Sequence, residues 1–228
     1  TERGRLMETA DGDMLSVMAT EAAVAPFLCD YPAVAIGVVN GPQSLVLSGQ
    51  RAQLALVDSA LRSAGFKTRK LAIPVAAHSP LLDPVLDDFA AAVARIPLDL
   101  PTLPVISSMT GARVTTELTA PLSWRQHLRN PVRFDRGVNT LHEAGCTIFI
   151  EIGPKPTLLG MVEPILDQTT AEQADQVTPS PGHPFTGSPH HRVMLASLRE
   201  NQPDWQTLLT SLGELYVRGV AINWQGID

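Results

Sequence analysis

An α/β fold is what this sequence predicts, and three observations lead to that expectation. Strand-like and helical runs alternate along residues 13–166, a pattern that favours layers of helices against a sheet. The run CTIFIEIG (146–153) is apolar almost throughout, which is typical of a central parallel strand. The chain has 228 residues, of which 44% are hydrophobic, so we expect one large or two small domains with a sizeable core.

The first elements, over residues 13–75, follow the order β-α-β-β-α-β. DMLSVMA alternates like a strand, and Thr20 is placed to cap the helix that follows it. Two β-rich runs joined by GPQ predict a hairpin, and the helical stripe of 50–65 stops at Gly65 before the strand KTRKLAIPV. This order predicts a ferredoxin-like module that is small enough to be a subdomain.

The elements after residue 76 continue the alternation of helix and strand. We expect helices or helical turns over 80–96, 121–134, 136–145, 154–166 and 203–220, and strands over 103–109, 146–153 and 192–198. The composition changes abruptly at 167–191, which is rich in Pro, Ser, Thr and Gly. This segment is therefore predicted to be a linker or a surface loop.

Charge and composition exclude several classes of function. The net charge of -6 is spread along the chain without a basic run, so a nucleic-acid partner is not expected. No apolar stretch is long enough to span a bilayer, and the N-terminus lacks the layout of a signal peptide, so a cytoplasmic protein is expected. Cys29 and Cys146 form no CxxC or Cys/His cluster. We therefore expect two reduced, mostly buried thiols and no metal site.

His78 is the first candidate for chemistry, in the stretch IPVAAHSPLLDPVL. It stands between a run that predicts a buried strand and one that predicts the start of a helix, which is where α/β folds collect catalytic groups. A neutral imidazole at such a junction can act as a general base. The residue types alone leave a purely structural histidine equally open.

Other polar residues carry weaker signals. Arg3 and Arg5 in RGRLM have guanidinium groups that can bind a carboxylate, although arginines on a helix surface are usually solvated. His127 and Asn130 can orient another group by hydrogen bonding or can simply cap a helix end. Asn40, in VNGPQS, is most simply a turn residue.

Five short motifs in a fixed order nevertheless resemble one family. RGRLM, VNGPQSLVLSG, AAHSPLLDPVL, LRNPVRF and IEIGPKPTLLG look like the acyltransferase domain of modular type I polyketide synthases, within the malonyl-CoA:acyl-carrier-protein transacylase family. The tail that ends in VRGVAINWQGID is similar to the linker that follows such domains. The resemblance covers the whole chain and is weakest in 167–191.

The resemblance implies a fold and a division of the chain. It implies a ferredoxin-like small subdomain inserted in an α/β-hydrolase-like large subdomain, followed by a C-terminal linker helix. Residues 1–12 would end a helix of the large subdomain, and 13–75 would form the small subdomain. Residues 76–166 would complete the large subdomain, and 167–228 would form a loop and the linker.

The resemblance also implies a reaction and its residues. A serine in a GHSxG elbow would take a malonyl-type unit from acyl-CoA and pass it to the phosphopantetheine of an acyl carrier protein. His78 matches the base of that serine, Arg3 matches the arginine that pairs with the free carboxylate, and His127 falls at the position that orients the histidine. Asn40 matches an asparagine at the border of the acyl pocket. No tightly bound cofactor is implied, and a neighbouring ketosynthase is an expected partner.

One departure from the family is the absence of any GxSxG pattern in the chain. Since the family serine lies upstream of RGRLM, we expect this chain to be the C-terminal part of an acyltransferase that folds with an N-terminal piece and is inactive alone. Two alternatives stay open: a degenerate domain that serves only as a docking surface, and a free-standing transacylase of fatty-acid synthesis. The retained Arg3, His78 and His127 argue against the first, and the C-terminal tail argues against the second.

The choice of extender unit stays open as well. Family members that use malonyl units tend to have HAFH before and at the histidine, and users of methylmalonyl units tend to have YASH, whereas this chain has VAAH (75–78). Ala77 is small and leaves space for an α-methyl group, but free-standing malonyl enzymes also have a small residue there.

Overall fold

The structure, a computed structural model, describes residues 1–176 and 192–226. It consists of two compact units, Thr1–Leu141 and His142–Asp228. The α/β class expected from the sequence is confirmed in the elements of both units. None of the helices in the described ranges is long and apolar enough to cross a membrane.

The first unit is built on a five-stranded sheet. Its strands are β1 (Asp13–Met18), β2 (Val34–Gly41), β3 (Ser44–Gly49), β4 (Lys67–Lys70) and β5 (Val132–Arg133). They lie in the order β4-β1-β3-β2-β5, and all neighbours are antiparallel except β2 and β5, which are parallel. The helices of this unit are α1 (Glu2–Met7), α2 (Glu21–Val24), α3 (Arg51–Ser63), α4 (Leu86–Val93), α5 (Pro121–Arg129) and α6 (Phe134–Glu143).

Local sequence explains where several of these elements begin and end. The hydroxyl of Thr20 accepts a hydrogen bond of 3.2 Å from the amide of Ala23, which caps α2 as the sequence predicts. The helix α3 presents Leu54, Val57 and Leu61 to the sheet and is followed by Gly65, whose φ is +88°. A left-handed residue of this kind is a common stop signal for a helix.

Two apolar clusters hold the first unit together. One lies between α3 and one face of the sheet, and its buried members include Leu15, Val17, Leu45, Leu47 and Val57. The other joins α1, α4, α5 and the 3₁₀-helical segment Pro80–Val85, and its members include Leu6, Leu82, Leu86, Phe89 and Leu128. Each buried Leu or Val contributes about 1.5–3 kcal/mol to folding, so each cluster contributes substantially to the stability of the first unit.

The second unit contains a two-stranded parallel sheet and two helices. The strands are β6 (Ile148–Glu151) and β7 (Val193–Ala196), and the helices are α7 (Leu159–Gln176) and α8 (Asp204–Val217). Strand β6 is parallel to its partner, as predicted, but it is not buried on both faces. Ile150 is 49% exposed and the following Ile152 is 87% exposed. The expectation of a central buried strand is therefore wrong for the part of the chain that the structure describes.

Two predicted strands are shorter than expected or absent. The strand predicted over 67–75 ends at Lys70, and Pro74, which has no N–H for a ladder, follows soon after. The strand predicted over 103–109 is wrong: among described residues this segment forms one antiparallel bridge, between Ile106 and Arg113. The chain reverses at Gly111, where φ is +75°.

Two further expectations need correction. The helix α7 begins at Leu159 and continues to Gln176, so the first part of the predicted loop 167–191 is helical, and residues 177–191 lie outside the described ranges. The two cysteines are free, but Cys29 is exposed and Cys146 is only partly buried. A short turn rather than the sheet carries Cys29, and this explains why its thiol is not covered.

Candidate active site

His78 stands at a turn that two neighbouring interactions fix. The hydroxyl of Ser79 donates to the carbonyl of Ala76 at 2.7 Å and accepts from the amide of Leu81 at 3.3 Å. Pro80 then begins a 3₁₀ helix, and a residue before proline is driven into the extended region that Ser79 occupies. His78 itself has a φ of +57°. This left-handed conformation is uncommon for a residue with a side chain and is often found at functional sites.

The turn packs against the sheet at a glycine. A Cβ atom added to Gly37 on β2 would lie 3.2 Å from the carbonyl oxygen of Ala77 and 3.6 Å from the Cβ of His78. A side chain at this position would therefore press on the turn. Because glycine has no side chain, β2 can approach the backbone of the turn closely and support His78 there.

The two nitrogens of the His78 imidazole differ in their hydrogen bonding. Nδ1 lies 2.9 Å from the carbonyl oxygen of Asn130, and since a carbonyl can only accept, Nδ1 must carry the proton. The neutral ring then has its lone pair on Nε2. The residue is 8% exposed, and this burial, together with the charges near it, lowers the pKa of His78 below its ordinary value of 6.5.

His127, on α5, lies beside His78 but does not hold it by a side-chain bond. The ring centroids are 6.2 Å apart and the planes are nearly perpendicular at 81°. The Nε2 of His127 instead hydrogen-bonds with the hydroxyl of Ser108 at 2.7 Å. The backbone carbonyl of Asn130 is the group that holds Nδ1 of His78, and the predicted orienting role of His127 stays a prediction.

Arg3 supplies the positive charge of this region. It lies on α1 and lines a cavity of about 290 Å³ together with His127, Trp124 and apolar side chains of α4 and α5. Burial lowers the pKa of His127, and the charge of Arg3 lowers it further. Arg3 also lowers the pKa of His78, after burial and His127. One fixed cation therefore faces two imidazoles that stay neutral at neutral pH.

The two arginines of α1 differ in their partners. Arg5 forms an ion pair with Glu2 at 2.6 Å, one turn away on the same helix. Arg3 has no ion pair with any residue of the described ranges and faces the cavity instead. The guanidinium of Arg3 is therefore available to bind an anion. Arg5, on the same helix, is already paired and serves as a matched comparison.

The structure brings some of the predicted site residues together and leaves one apart. His78, His127 and Arg3 converge, and the carbonyl of Ala77 lies against Gly37. Asn40 is half-buried near the hairpin end of β2. It is three residues beyond Gly37, or about 10 Å along the strand. Its predicted place at the border of an acyl pocket stays a prediction.

Two groups of this site were not found from the sequence. Ser108 lines a second cavity of about 280 Å³, which shares Trp124 and His127 with the first. Its motif, SSMTG, gives no signal for such a role. Asn130 was named from the sequence as a residue that can orient another group, but the group that holds His78 is its backbone carbonyl, which a side-chain pattern does not reveal.

A second polar residue, Glu151, follows a strand in the other unit. Its carboxylate accepts hydrogen bonds from the amides of Thr157, Leu158 and Leu159 at 2.9, 2.8 and 3.0 Å. Burial acts to raise the pKa of Glu151, but the three donors outweigh it, and the pKa is lowered. These amides begin α7, so the side chain serves as a cap for that helix.

Comparison with known proteins places these features in a family. A model of the family described as "Acyl transferase domain" matches residues 1–222. Mycoketide-CoA synthase of Mycobacterium tuberculosis is 34% identical over 227 residues, which are 99% of this chain and 5% of that protein. Polyketide synthase GfsB of Streptomyces halstedii is 33% identical over 231 residues, which are 99% of this chain and 4% of the synthase.

Solved structures give the same result for the fold. The acyltransferase domain from the second module of the salinomycin polyketide synthase matches with a TM-score of 0.82 and 34% identity, over 97% of this chain and 48% of the other. The acyl transferase domain of SpnD, solved in complex with 2-(pent-4-yn-1-yl)malonyl, matches with a TM-score of 0.81 and 28% identity, over 96% and 49%. The chain thus spans about half the length of these domains and a small part of each curated relative.

Proposed function

Since the chain belongs to the acyl transferase domain family, and its relatives are polyketide synthases, we propose that it forms part of a domain that moves malonyl-type units from CoA to an acyl carrier protein. The observation that carries this proposal is the state of His78. Its Nδ1 is committed to Asn130, and burial keeps the ring neutral. A free Nε2 lone pair in a neutral ring is what a general base needs.

The proposed reaction has two transfers, and His78 serves both. A serine hydroxyl attacks the thioester carbon of the acyl-CoA while Nε2 of His78 takes its proton, and the proton then leaves with the CoA thiol. In the second half the phosphopantetheine thiol gives its proton to Nε2 of His78 and attacks the acyl-serine ester, and His78 passes that proton to the serine oxygen as the ester bond breaks. The chain has no GxSxG pattern, so the proposal takes the serine from a companion segment.

Arg3 is proposed to select acyl units that have a second carboxylate. Arg3 lines the cavity together with the neutral imidazole of His127, its charge also acts on His78, and a guanidinium binds a carboxylate through two parallel hydrogen bonds. A unit without that carboxylate, such as acetyl, would leave the cation unpaired in a partly apolar cavity. Malonyl-CoA and methylmalonyl-CoA are both retained as donors, because Ala77 has no bulk to exclude a methyl group.

The proposed partners follow from the same assignment. They are an acyl carrier protein, a malonyl-type acyl-CoA, the companion segment with the serine, and a neighbouring ketosynthase. No tightly bound cofactor takes part in the proposed reaction.

A joined protein tests the proposal. The joined protein consists of an N-terminal part taken from the salinomycin second-module domain, followed by the present chain from Thr1 onward. The added part is the one that precedes the residue matching Thr1, and it restores a serine elbow. Intact-mass spectrometry after incubation with malonyl-CoA, methylmalonyl-CoA or acetyl-CoA then measures loading. We expect a gain of one malonyl or one methylmalonyl mass on the elbow serine, and transfer of that mass to added carrier protein.

The matched control replaces the elbow serine by alanine and should abolish the mass gain. If the joined protein folds and is not loaded by either dicarboxylic donor, the proposed transfer is wrong and a docking role is favoured. Equal loading by acetyl-CoA would contradict the part of the proposal that concerns Arg3.

A further inference from the structure

The segment from Asn130 to Arg133 contacts the supports of both histidines. The carbonyl of Asn130 accepts the hydrogen bond from Nδ1 of His78. The amide of Arg133 donates to the carbonyl of Ser108 at 2.6 Å, and the hydroxyl of Ser108 bonds with Nε2 of His127. A shift of this short segment would therefore move the partners of His78 and His127 at the same time.

The strand in this segment, β5, is too short to fix its own position. It has two residues, and its ladder consists of the parallel pairs Val38 with Val132 and Val39 with Arg133. A pairing of this length is marginal in water without further support. The support must come from side chains.

The side chain of Arg133 provides that support from the inside of the unit. It is 11% exposed and forms ion pairs with Glu21 of α2 at 2.7 Å and with Asp135 of α6 at 2.9 Å. One guanidinium thus joins β5 and the start of α6, which follows it directly, to α2, which lies 112 residues earlier in the chain. Because Arg133 is mostly buried, removal of a partner would leave a desolvated charge unpaired, which makes these pairs costly to break.

We propose that Arg133 is the positioning residue for the histidine pair: through Glu21 and Asp135 it fixes the backbone that holds His78 by Asn130 and His127 by Ser108. It acts through the backbone rather than on a substrate. Its importance for acyl transfer rests on the proposed function, but the positioning is a property of the chain alone and can be tested without any acyl donor.

Nuclear magnetic resonance of the full chain tests this inference. Long-range correlations between imidazole carbon-bound protons and ring nitrogens show which nitrogen carries the proton. In the unaltered chain we expect His78 to be protonated on Nδ1 alone at neutral pH. In Arg133→Met we expect a mixture of the two His78 tautomers and a changed His127 spectrum. The His78→Asn and His127→Gln variants assign the signals.

Conservative variants separate positioning from general loss of stability. Arg133→Lys keeps the charge and one ion pair and should restore most of the Nδ1 form of His78. Glu21→Gln removes the charge of one ion-pair partner of Arg133 and should give a histidine spectrum between that of the unaltered chain and that of Arg133→Met. Val57→Ala, in the buried face of α3, lowers stability without touching these contacts and should leave both histidine spectra unchanged.

Two results would overturn the inference. One is an Arg133→Met chain that is folded and retains the His78 tautomer and the His127 spectrum. The other applies if that variant does not fold: a Glu21→Gln chain with unchanged spectra would then show that the ion pairs do not position the histidines. Either result leaves the proposed acyl transfer intact, because loading of the joined protein is measured separately.

Discussion

Glu151 ends a strand and precedes a helix, and His78 lies in a turn that precedes a 3₁₀ helix, yet their hydrogen bonding is opposite. Glu151 uses its carboxylate to satisfy three consecutive amides at the start of a helix. His78 has one nitrogen bound to a carbonyl 52 residues away, and no side chain of the described residues is bonded to its other nitrogen. The comparison teaches that a polar side chain saturated by nearby backbone is structural, whereas one that is held firmly and left half unsatisfied is available for chemistry.

The largest expected effect concerns the histidine side of this comparison. His78→Asn in the joined protein should lower the rate of malonyl loading by about 10²–10⁴-fold, as expected for loss of a general base. Asparagine is chosen because it tolerates the left-handed conformation of this position. Rapid quenching followed by intact-mass spectrometry measures the rate, and thermal unfolding checks that the fold is retained. Loading within a fewfold of the unaltered protein would remove His78 from the role of base.

The next effect concerns the cation beside the histidines. Arg3→Gln should weaken the preference for malonyl-CoA over acetyl-CoA by about ten- to a hundredfold, which corresponds to about 1.5–3 kcal/mol for a charge-assisted hydrogen bond. Competition between the two donors, read by mass, measures this preference. The matched variant is Arg5→Gln on the same helix, whose arginine is already paired with Glu2. Equal effects of the two variants would contradict the assignment of Arg3.

A smaller effect is expected on the glutamate side. Glu151→Gln should lower the free energy of unfolding by about 1 kcal/mol, because the amide retains one acceptor but loses the charge that favours a helix N-terminus. Urea unfolding of the chain, followed by circular dichroism, measures the loss. Glu163→Gln on the exposed side of the same helix is the control. Loss of loading activity without loss of stability would give Glu151 a chemical role that this comparison denies.

The smallest effect is a dependence of stability on pH. The pKa of His78 and that of His127 are both lowered below 6.5 by burial, so the unfolded chain takes up protons first as the pH falls. The stabilisation is fully present above pH 6.5 and is lost as the pH falls through the folded pKa values, by less than about 1.4 kcal/mol per pH unit for each group. Urea unfolding across this range should show a shallower slope in His127→Gln than in the control His142→Gln. Equal slopes in these two variants would show that His127 is not kept neutral by the fold.

The sequence predicts well those features whose causes are local. Thr20 caps its helix as expected, since a cap depends on the amides of the next turn. The alternation that predicts β1 and the β-rich composition that predicts β2 and β3 likewise lie within the strands themselves. The helix expected after His78 is confirmed as the 3₁₀ segment from Pro80, but the strand expected before it ends at Lys70 and is followed by an isolated bridge between Asp11 and Val75.

The rest could not be predicted, because it depends on contacts between distant segments. Nothing near His78 in sequence indicates that Asn130 would bind its ring, and nothing near His127 indicates Ser108. The apolar run 103–109 has strand propensity, but its backbone hydrogen bonds to 112–114 and to Arg133 form one isolated bridge and no regular ladder, and a strand forms only where its ladder can be completed. The family motifs identified the residues of the site but not the groups that hold them.

The dependence of loading rate on pH tests the central claim most directly, because it reports the protonation state in which His78 acts. In the joined protein we expect the single-turnover loading rate to be constant above pH 6.5. It should fall tenfold for each pH unit below the lowered pKa of His78, and His78→Asn should lose this acid limb. An acid limb with the same midpoint in both proteins would contradict the claim that His78 is the base.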